Sequence, residues 1–154
     1  MMKRSRFAAR RSGGKAILHY ASAAGCVETV KLLLRLGADP NIADRGQHPP
    51  LYCLANECAS ANGPDVVRLL VQAGADVNAG TGVTGATALH MAARQGFVEI
   101  AAALLDCGAN INARDQKGDT PLQRALNCRR PQVARLLAEG GASGYRLAAT
   151  LAPI

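Results

Sequence analysis

Aromatic side chains are scarce in this chain, which has no tryptophan, three tyrosines and two phenylalanines. Sites that hold nucleic-acid bases or sugars usually stack them on such rings, so the composition argues against a site of that kind. The core must instead be built from Leu, Val, Ile and Ala. Side chains of this size suit closely stacked helices.

Long apolar runs and an ordered set of cysteines are also missing. No stretch approaches the ~18 consecutive apolar residues of a membrane span. The five cysteines are odd in number and irregularly spaced, which argues against a disulfide framework and predicts a reducing compartment, here the cytoplasm. Cys53 and Cys58, with His48 nearby, suggest a metal site, but thiols five residues apart on a helix diverge and a fourth ligand is missing. We therefore predict two buried, apolar-like cysteines and no metal.

The sequence lacks a set of residues that would carry out catalysis. The segment Gly80–Gly85 resembles a phosphate loop only superficially, because no Lys-Ser/Thr pair follows it and no strand precedes it. No nucleophile or carboxylate is placed to converge on His19 or His90. We therefore predict that the protein is not an enzyme and needs no cofactor.

The formal net charge of +7 is concentrated at the start of the chain. The first 15 residues carry six of the 18 basic residues and no acidic one, so the remainder carries 12 basic and 11 acidic residues, a net charge of +1. Residues 1–13 are predicted to form a basic, disordered arm. A weaker basic cluster near the other end consists of Arg124, Arg129, Arg130 and Arg135.

One short sequence motif, which we call the phrase, recurs along the chain. The phrase Gly37-Ala38-Asp39-Pro40-Asn41 returns at Gly74–Asn78 and Gly108–Asn112, and in shortened form at Gly141–Ser143. A leucine precedes each phrase, and successive leucines are 33, 38 and 33 residues apart: Leu18, Leu51, Leu89 and Leu122. A period near 33 predicts a solenoid, in which each unit buries its apolar face only against a neighbour.

The repeating unit is clearest from Gly85 to Asn112. Apolar residues three and four apart between Leu89 and Ala93 share one face of a short helix, which Gly96 ends. A second helix is predicted from about Val98 to Cys107, and a loop then runs to a turn at Asp115–Gly118. The unit is therefore helix, turn, helix and projecting loop.

These residues closely resemble the ankyrin repeat. The family phrase Gly-x-Thr-Pro-Leu-His-x-Ala is matched at Gly118–Ala125 and Gly85–Ala92, and more loosely at Gly14–Ala21. The resemblance covers about residues 14–143. It implies an all-α ankyrin-repeat solenoid of stacked helix-turn-helix units, with hairpin loops projecting at one edge and the first helices lining a concave face. It also implies that the family histidine ties its helix to neighbouring backbone and to the repeat's threonine, a structural role.

The predicted organisation has six parts: a basic arm at 1–13, four repeats at about 14–43, 44–79, 80–112 and 113–143, and a C-terminal cap or tail at 144–154. The alternative for the end is that repeats continue in a longer parent protein.

Two repeats depart from the pattern. The leucine-to-glycine distance is 19 residues in three repeats but 23 in the second (51 to 74), which places four extra residues at Asn56–Gly63, between its two helices. This insertion is either functional or neutral, since surface loops tolerate insertions. The last repeat has Arg129 in place of the inter-helix glycine and Gln123 in place of the histidine.

Ankyrin repeats typically contact partners through hairpin tips and the exposed side of the first helices. The corresponding tip residues are Arg45, Gly46, His48, Val83, Thr84, Ala86, Gln116, Lys117 and Asp119. The corresponding helix residues are Ala23, Ala24, Arg94, Gln95, Asn127 and Cys128. Long cations across one groove suit an acidic partner, and arginine is the more common hot-spot residue, so Arg45 and Arg94 rank above Lys117.

The resemblance predicts a monomeric, non-catalytic protein–protein interaction module. A preformed groove would lose little conformational entropy when a partner protein binds. One alternative is a nucleic-acid-associated protein that uses the basic arm and the arginines of the last repeat. Another is an inhibitor that caps the surface of an enzyme.

Overall fold

A computed structural model describes residues 15–141 of the chain. This part folds into eight α-helices and has no β-strand. The helices are α1 (Ile17–Ala24), α2 (Val27–Arg35), α3 (Pro50–Glu57), α4 (Gly63–Gln72), α5 (Ala88–Gln95), α6 (Val98–Asp106), α7 (Pro121–Asn127) and α8 (Pro131–Glu139). The predicted arm at 1–13 and the predicted cap at 144–154 lie outside the described residues.

The helices form two layers. The first helices of the repeats pack in the order α1, α3, α5 and α7, and the second helices pack in the order α2, α4, α6 and α8. Within each repeat the two helices also contact each other. This arrangement confirms the all-α solenoid predicted from the 33-residue period.

The repeated leucine is the centre of each unit. Leu18, Leu51, Leu89 and Leu122 are each at most 2% exposed. Burying one such side chain stabilises the fold by about 1.5–3 kcal/mol. Ala92 and Ala93 on α5 are fully buried, and their small size lets the neighbouring first helices approach closely.

Local signals in the sequence place the ends of the first helices. The Thr87 and Thr120 side chains accept hydrogen bonds from the main-chain N–H groups of His90 and Gln123, which caps α5 and α7. Gly96 ends α5 with a φ angle of +83°, a conformation that glycine adopts at little cost. The second helix of this repeat ends at Asp106, one residue before the predicted end.

The linker between the two helices of the second repeat is shorter than the range predicted for the insertion. The sequence placed it at Asn56–Gly63, but α3 continues to Glu57 and α4 begins at Gly63, so the linker is 58–62. That linker has five residues, against two at 25–26 and 96–97, and α4 has ten residues where α2 and α6 have nine. Three linker residues and one helical residue account for the four extra positions. Asn56 and Glu57 therefore belong to a first helix.

Asparagine side chains connect the loops that follow the second helices. Asn41 donates to the main-chain oxygen of Gly74 at 2.9 Å and accepts from the N–H of Asp76 at 2.8 Å. Asn78 makes the same pair of bonds to Gly108 and Asn110 at 3.2 and 2.6 Å. The recurring Asn of the phrase thus holds repeat one in register with repeat two and repeat two in register with repeat three.

Candidate partner-binding surface

Three hairpin tips, at 44–48, 81–86 and 115–119, form what we call the tip edge. Each closes with a main-chain hydrogen bond between its first and last residue, and the closing distances are 3.0–3.1 Å. In the third tip the Asp115 carboxylate accepts from the N–H groups of Lys117 and Asp119 at 2.9 and 3.0 Å. In the first tip Asp44 accepts from Gly46 and His48, both at 2.9 Å. The first and third tips are therefore built around buried carboxylates.

Both carboxylates are held ionised. Burial raises the pKa of Asp115, but the hydrogen bonds from Arg124 and from the tip backbone outweigh burial and leave that pKa below its ordinary value. Burial likewise raises the pKa of Asp44, and hydrogen bonds from His48 and Gly46 outweigh it. Charged carboxylates accept stronger hydrogen bonds than neutral groups do, which stiffens both tips.

Arg124 is part of the third tip rather than of a free basic cluster. Its guanidinium donates to the Asp115 carboxylate and lies 3.6 Å from that of Asp119. The cluster of four arginines expected near the end of the chain is therefore divided. Arg129, Arg130 and Arg135 are exposed, whereas Arg124 is partly buried and ion-paired.

The second tip is built differently, and one predicted site residue is excluded from its surface. Thr81 takes the place of the tip aspartate and its hydroxyl lies 2.7 Å from that of Thr84. Val83 is 74% exposed, whereas Ala86 is 1% exposed and packs in the core. The prediction that Ala86 contacts a partner is therefore wrong, because the last residue of this tip turns inward. Thr84 stays on the surface, and its main-chain oxygen accepts from the N–H of Gln116 at 2.9 Å.

Histidines on the first helices support the tips from beneath. His90 Nε2 donates to the main-chain oxygen of Asp119, and His19 Nε2 donates to that of His48, both at 2.9 Å. The other ring nitrogen of His90 lies 2.9 Å from the Thr87 hydroxyl. Burial lowers the pKa of both histidines, so the neutral ring is favoured. The structural role implied by the resemblance is confirmed.

Tyr52 takes the histidine position in the second repeat. Its ring stacks on His48 with 4.6 Å between centroids, and Thr81 of the next tip partly offsets the effect of burial on the pKa of its hydroxyl. Burial raises the pKa of Tyr52. The contact to the next tip is thus preserved by a longer side chain.

The remaining predicted residues lie at the opposite ends of the first helices. Arg94 and Gln95 are the last two residues of α5, and Asn127 is the last of α7. An eight-residue helix such as α5 is about 12 Å long, which separates Arg94 from the tip edge. Arg45 and Lys117 are exposed at the tips, so the three predicted cations do not form one cluster. The corresponding positions of repeat one, Ala23 and Ala24, present only methyl groups, and Cys128 lies just past α7.

Sequence reasoning did not assign Lys15, Asn56 or Glu57 to contacts of the first helices. Gln95 Nε2 donates to Asn56 Oδ1 at 3.0 Å, which joins α5 to α3. Lys15 Nζ lies 3.1 Å from the Glu57 carboxylate and 5.8 Å from the centre of the Tyr20 ring. The leucine spacing contains a signal for placing Asn56 and Glu57 on a first helix. They stand five and six residues after Leu51, as the predicted helix residues Arg94 and Gln95 stand after Leu89.

The cysteines behave largely as predicted. Cys53 and Cys58 are 3% and 1% exposed, and burial raises the pKa of Cys53 to about 12, so its thiol stays protonated. Cys26 is exposed. Between residues 15 and 141 no group of three His, Cys, Asp or Glu side chains is placed to hold a metal ion. No helix in the same range is long and apolar enough to cross a membrane.

Paired helices stacked in two layers, with hairpin tips at one edge, define a helical repeat protein. Residues 55–146 match the family model for ankyrin repeats in three copies, and residues 13–45 match the model for a single ankyrin repeat. The chain therefore belongs to the ankyrin repeat family.

Several characterised proteins are similar to the chain. It is 36% identical over 140 residues to human ankyrin repeat and SOCS box protein 16, which covers 86% of the chain and 30% of that protein. It is 35% identical over 133 residues to the mouse B-cell lymphoma 3 protein homolog, covering 85% of the chain and 28% of that protein. It is 36% identical over 125 residues to cyclin-dependent kinase 4 inhibitor B of Bos taurus, covering 81% of the chain and 92% of that protein. The chain thus spans less than a third of the first two relatives.

Proposed function

We propose that this chain is a non-catalytic module that binds a partner protein through its hairpin tips and the exposed ends of its first helices. Ankyrin repeats mediate protein–protein interaction, and the relatives named above are mostly binding proteins of this kind. The tips are held by buried carboxylates and by histidines on the first helices. A surface held in this way loses little conformational entropy when a partner binds.

The observation that carries the proposal is the composition of the tip edge. Val83, 74% exposed, lies in the middle tip, and exposed Arg45 and Lys117 lie in the tips on either side. No carboxylate among residues 15–141 forms an ion pair with either cation. An apolar centre flanked by free cations suits a partner that offers an apolar side chain between acidic groups.

The other residues of the proposed surface are secondary. His48, Thr84, Gln116 and Asp119 lie in the same three tips, and Arg94, Gln95 and Asn127 extend the surface along the first helices. Several of them are already engaged within the fold, as Gln95 is with Asn56. We therefore expect their substitution to weaken binding less than substitution of Arg45 or Val83.

Inhibition of an enzyme is the second candidate. The observation that favours it is the similarity to cyclin-dependent kinase 4 inhibitor B, since the alignment covers 92% of that protein. A nucleic-acid role has weaker support, because Arg124 is ion-paired within a tip and the basic arm lies outside the described residues.

The test is affinity capture from a lysate of the source cells with nuclease present, using the wild-type chain and an Arg45→Glu/Val83→Asp variant. Arg35→Glu on α2 is the charge control, because Arg35 is exposed and belongs to none of the three tips. A protein captured by wild type and control but lost with the tip variant supports the proposal. Capture that ignores the tip variant, or that disappears with nuclease, contradicts it.

The inhibitor candidate needs a separate assay. Purified chain is titrated into a cyclin-dependent kinase 4 reaction, and inhibition that the tip variant relieves supports this candidate. Unchanged activity at saturating chain excludes that kinase as the target. The cytoplasmic location and monomeric state remain predictions, which cell fractionation and light scattering would check.

A further inference from the structure

The linkers between paired helices form a second edge, opposite the tips, which we call the turn edge: 25–26, 58–62, 96–97 and 128–130. A groove of about 370 Å³ opens there between the long linker of repeat two and the start of α6. Its apolar lining includes Ala59, Ala61, Pro64, Phe97 and Ile100. The groove exists because the repeat-two linker is extended, so the insertion has a structural consequence that stacking does not require.

Arginines stand at the rim of this groove. Gly96 lines it, and a Cβ atom built on Gly96 would lie 2.8 Å from Cδ of Arg130. Arg130 Nε donates to the main-chain oxygen of Arg94 at 3.0 Å. The Arg130 side chain therefore lies across Gly96, so the last repeat contributes a side chain to the rim of the groove.

Three arginines of the turn edge, two of them linked at this rim and the third next to Arg130 in the linker 128–130, have no carboxylate partner. Arg94, Arg129 and Arg130 are exposed, and none forms an ion pair with a carboxylate side chain of residues 15–141. All 11 acidic residues of the sequence fall within that range. The positive charge at this rim is consequently left for an external group.

The backbone of Arg129 is strained. Its φ angle is +56°, and the matching inter-helix residues of repeats one and three are glycines with φ angles of +70° and +83°. A non-glycine residue in this conformation costs about 1–2 kcal/mol. Strain of this kind is often retained at functional sites.

We infer that the turn edge of repeats two to four binds an acidic peptide segment, which inserts one apolar side chain into the groove and places its carboxylates on Arg94, Arg129 and Arg130. This surface shares Arg94 with the surface of the proposed function but lies at the edge opposite the tips. A peptide fits better than a nucleic acid, because it can place an uncharged apolar side chain beside Glu99, whereas a nucleic acid carries a negative phosphate at every nucleotide. The same carboxylate would favour a peptide backbone N–H beside the apolar side chain.

The test uses synthetic peptides of about ten residues, long enough at ~3.3 Å per residue to span the groove and its rim. Each carries one Leu or Phe flanked by Asp and Glu, and matched sets replace the acidic residues with Gln or Lys. Binding to the wild-type chain is measured by fluorescence anisotropy. An Arg129→Glu/Arg130→Glu variant tests the rim, and Ala61→Trp, at an exposed position, tests the groove by filling it. Arg35→Glu on α2, outside both edges, is the charge control, and Lys117→Glu tests whether the peptides bind at the tips instead.

We expect the acidic peptides to bind and the other sets not to bind. Both turn-edge variants should weaken binding at least about tenfold, whereas Arg35→Glu should leave it unchanged. Thermal melting of each variant, followed by circular dichroism, distinguishes a folding defect from a loss of binding. The inference would be overturned if no acidic peptide binds, or if either turn-edge variant binds the peptides as tightly as wild type. Equal competition by a single-stranded oligonucleotide would also overturn it. A loss that follows Lys117→Glu alone would overturn it too, yet would support the tip-edge proposal.

Discussion

His90 on α5 donates a 2.9 Å hydrogen bond to the main-chain oxygen of Asp119, the last residue of the following hairpin tip. His19 makes the same bond to His48, and in both pairs the partner is 29 residues later. The histidine thus sets the position of the tip that belongs to the next repeat. A residue for which the sequence offers no catalytic partner thus supports the proposed binding surface.

The buried His90 ring predicts a pH-dependent stability. Burial lowers its pKa, outweighing the Asp119 oxygen and the Asp115 charge, which raise it, while Arg124 adds to the lowering. The pKa of His90 in the folded protein is therefore below its unfolded value of about 6.5, so the unfolded chain binds more protons. The folded state consequently loses stability as the pH falls from about 6.5 towards the folded pKa. His90→Gln should therefore lose less free energy of unfolding between pH 7 and pH 5 than wild type, measured by urea denaturation.

Repeat four supplies the model for that variant. Gln123 occupies the histidine position there, and its Oε1 accepts from the Thr120 N–H at 2.8 Å. His90→Gln should cost about 1 kcal/mol at pH 7 for the weaker link to Asp119. His19 is present in both proteins and its contribution cancels. Equal losses in the two proteins would show that His90 does not control the acid sensitivity.

The loops also depend on an asparagine ladder, which predicts a stability loss for Asn78→Ala. Asn78 both donates to Gly108 and accepts from Asn110, so the variant loses two links between repeats two and three. We expect a loss of about 1 kcal/mol in the free energy of unfolding, since the freed groups can bond to water. Asn78→Asp retains the acceptor alone and should fall between wild type and Asn78→Ala. Wild-type stability for Asn78→Ala would rule the ladder out as a source of stability.

The regular parts of this fold are readable from sequence because each relies on local chemistry. Leucine spacing, the threonine caps and Gly96 predict the helices and their order. The insertion was misplaced because Asn56 and Glu57 look like loop residues, whereas α3 ends six residues after its leucine, as α1 and α5 do. Ala86 was misassigned because its inward orientation follows from the closure of the tip on Thr81, which no sequence pattern records.

Contacts between distant residues explain what else was missed. The link between Lys15 and Glu57 joins positions 42 residues apart, and Arg130 reaches back 36 residues to Arg94. The charged side chains are visible in the sequence, but their pairing depends on where helices stack. That is why Arg124 could not be separated from the exposed arginines before its bond to Asp115 was known.

Ser22 presents a buried hydroxyl without a partner among the described residues, and its removal should stabilise the protein. Its side chain is fully buried and its Oγ makes no hydrogen bond within that part of the chain. The corresponding residues of repeats two and three are Ala55 and Ala93, both fully buried. Ser22→Ala should raise the free energy of unfolding by about 1 kcal/mol, measured by urea denaturation. The reverse change, Ala93→Ser, should lower it by a similar amount, and a loss of stability in Ser22→Ala would contradict the argument.

We predict that replacing Arg129 affects stability and peptide binding differently. Replacement by glycine removes the strain of a φ angle of +56°, which is worth about 1–2 kcal/mol, while the greater freedom of glycine in the unfolded chain takes back roughly 0.4–1 kcal/mol. Arg129→Gly should therefore be as stable as wild type or about 1 kcal/mol more stable. Its affinity for the acidic peptides should nevertheless fall, because the guanidinium is gone. Arg129→Ala is the matched control, since it loses the same charge but keeps the strained backbone. If Arg129→Gly melts higher and still binds the peptides with wild-type affinity, the strain has no role in binding and Arg129 does not belong to the turn-edge surface.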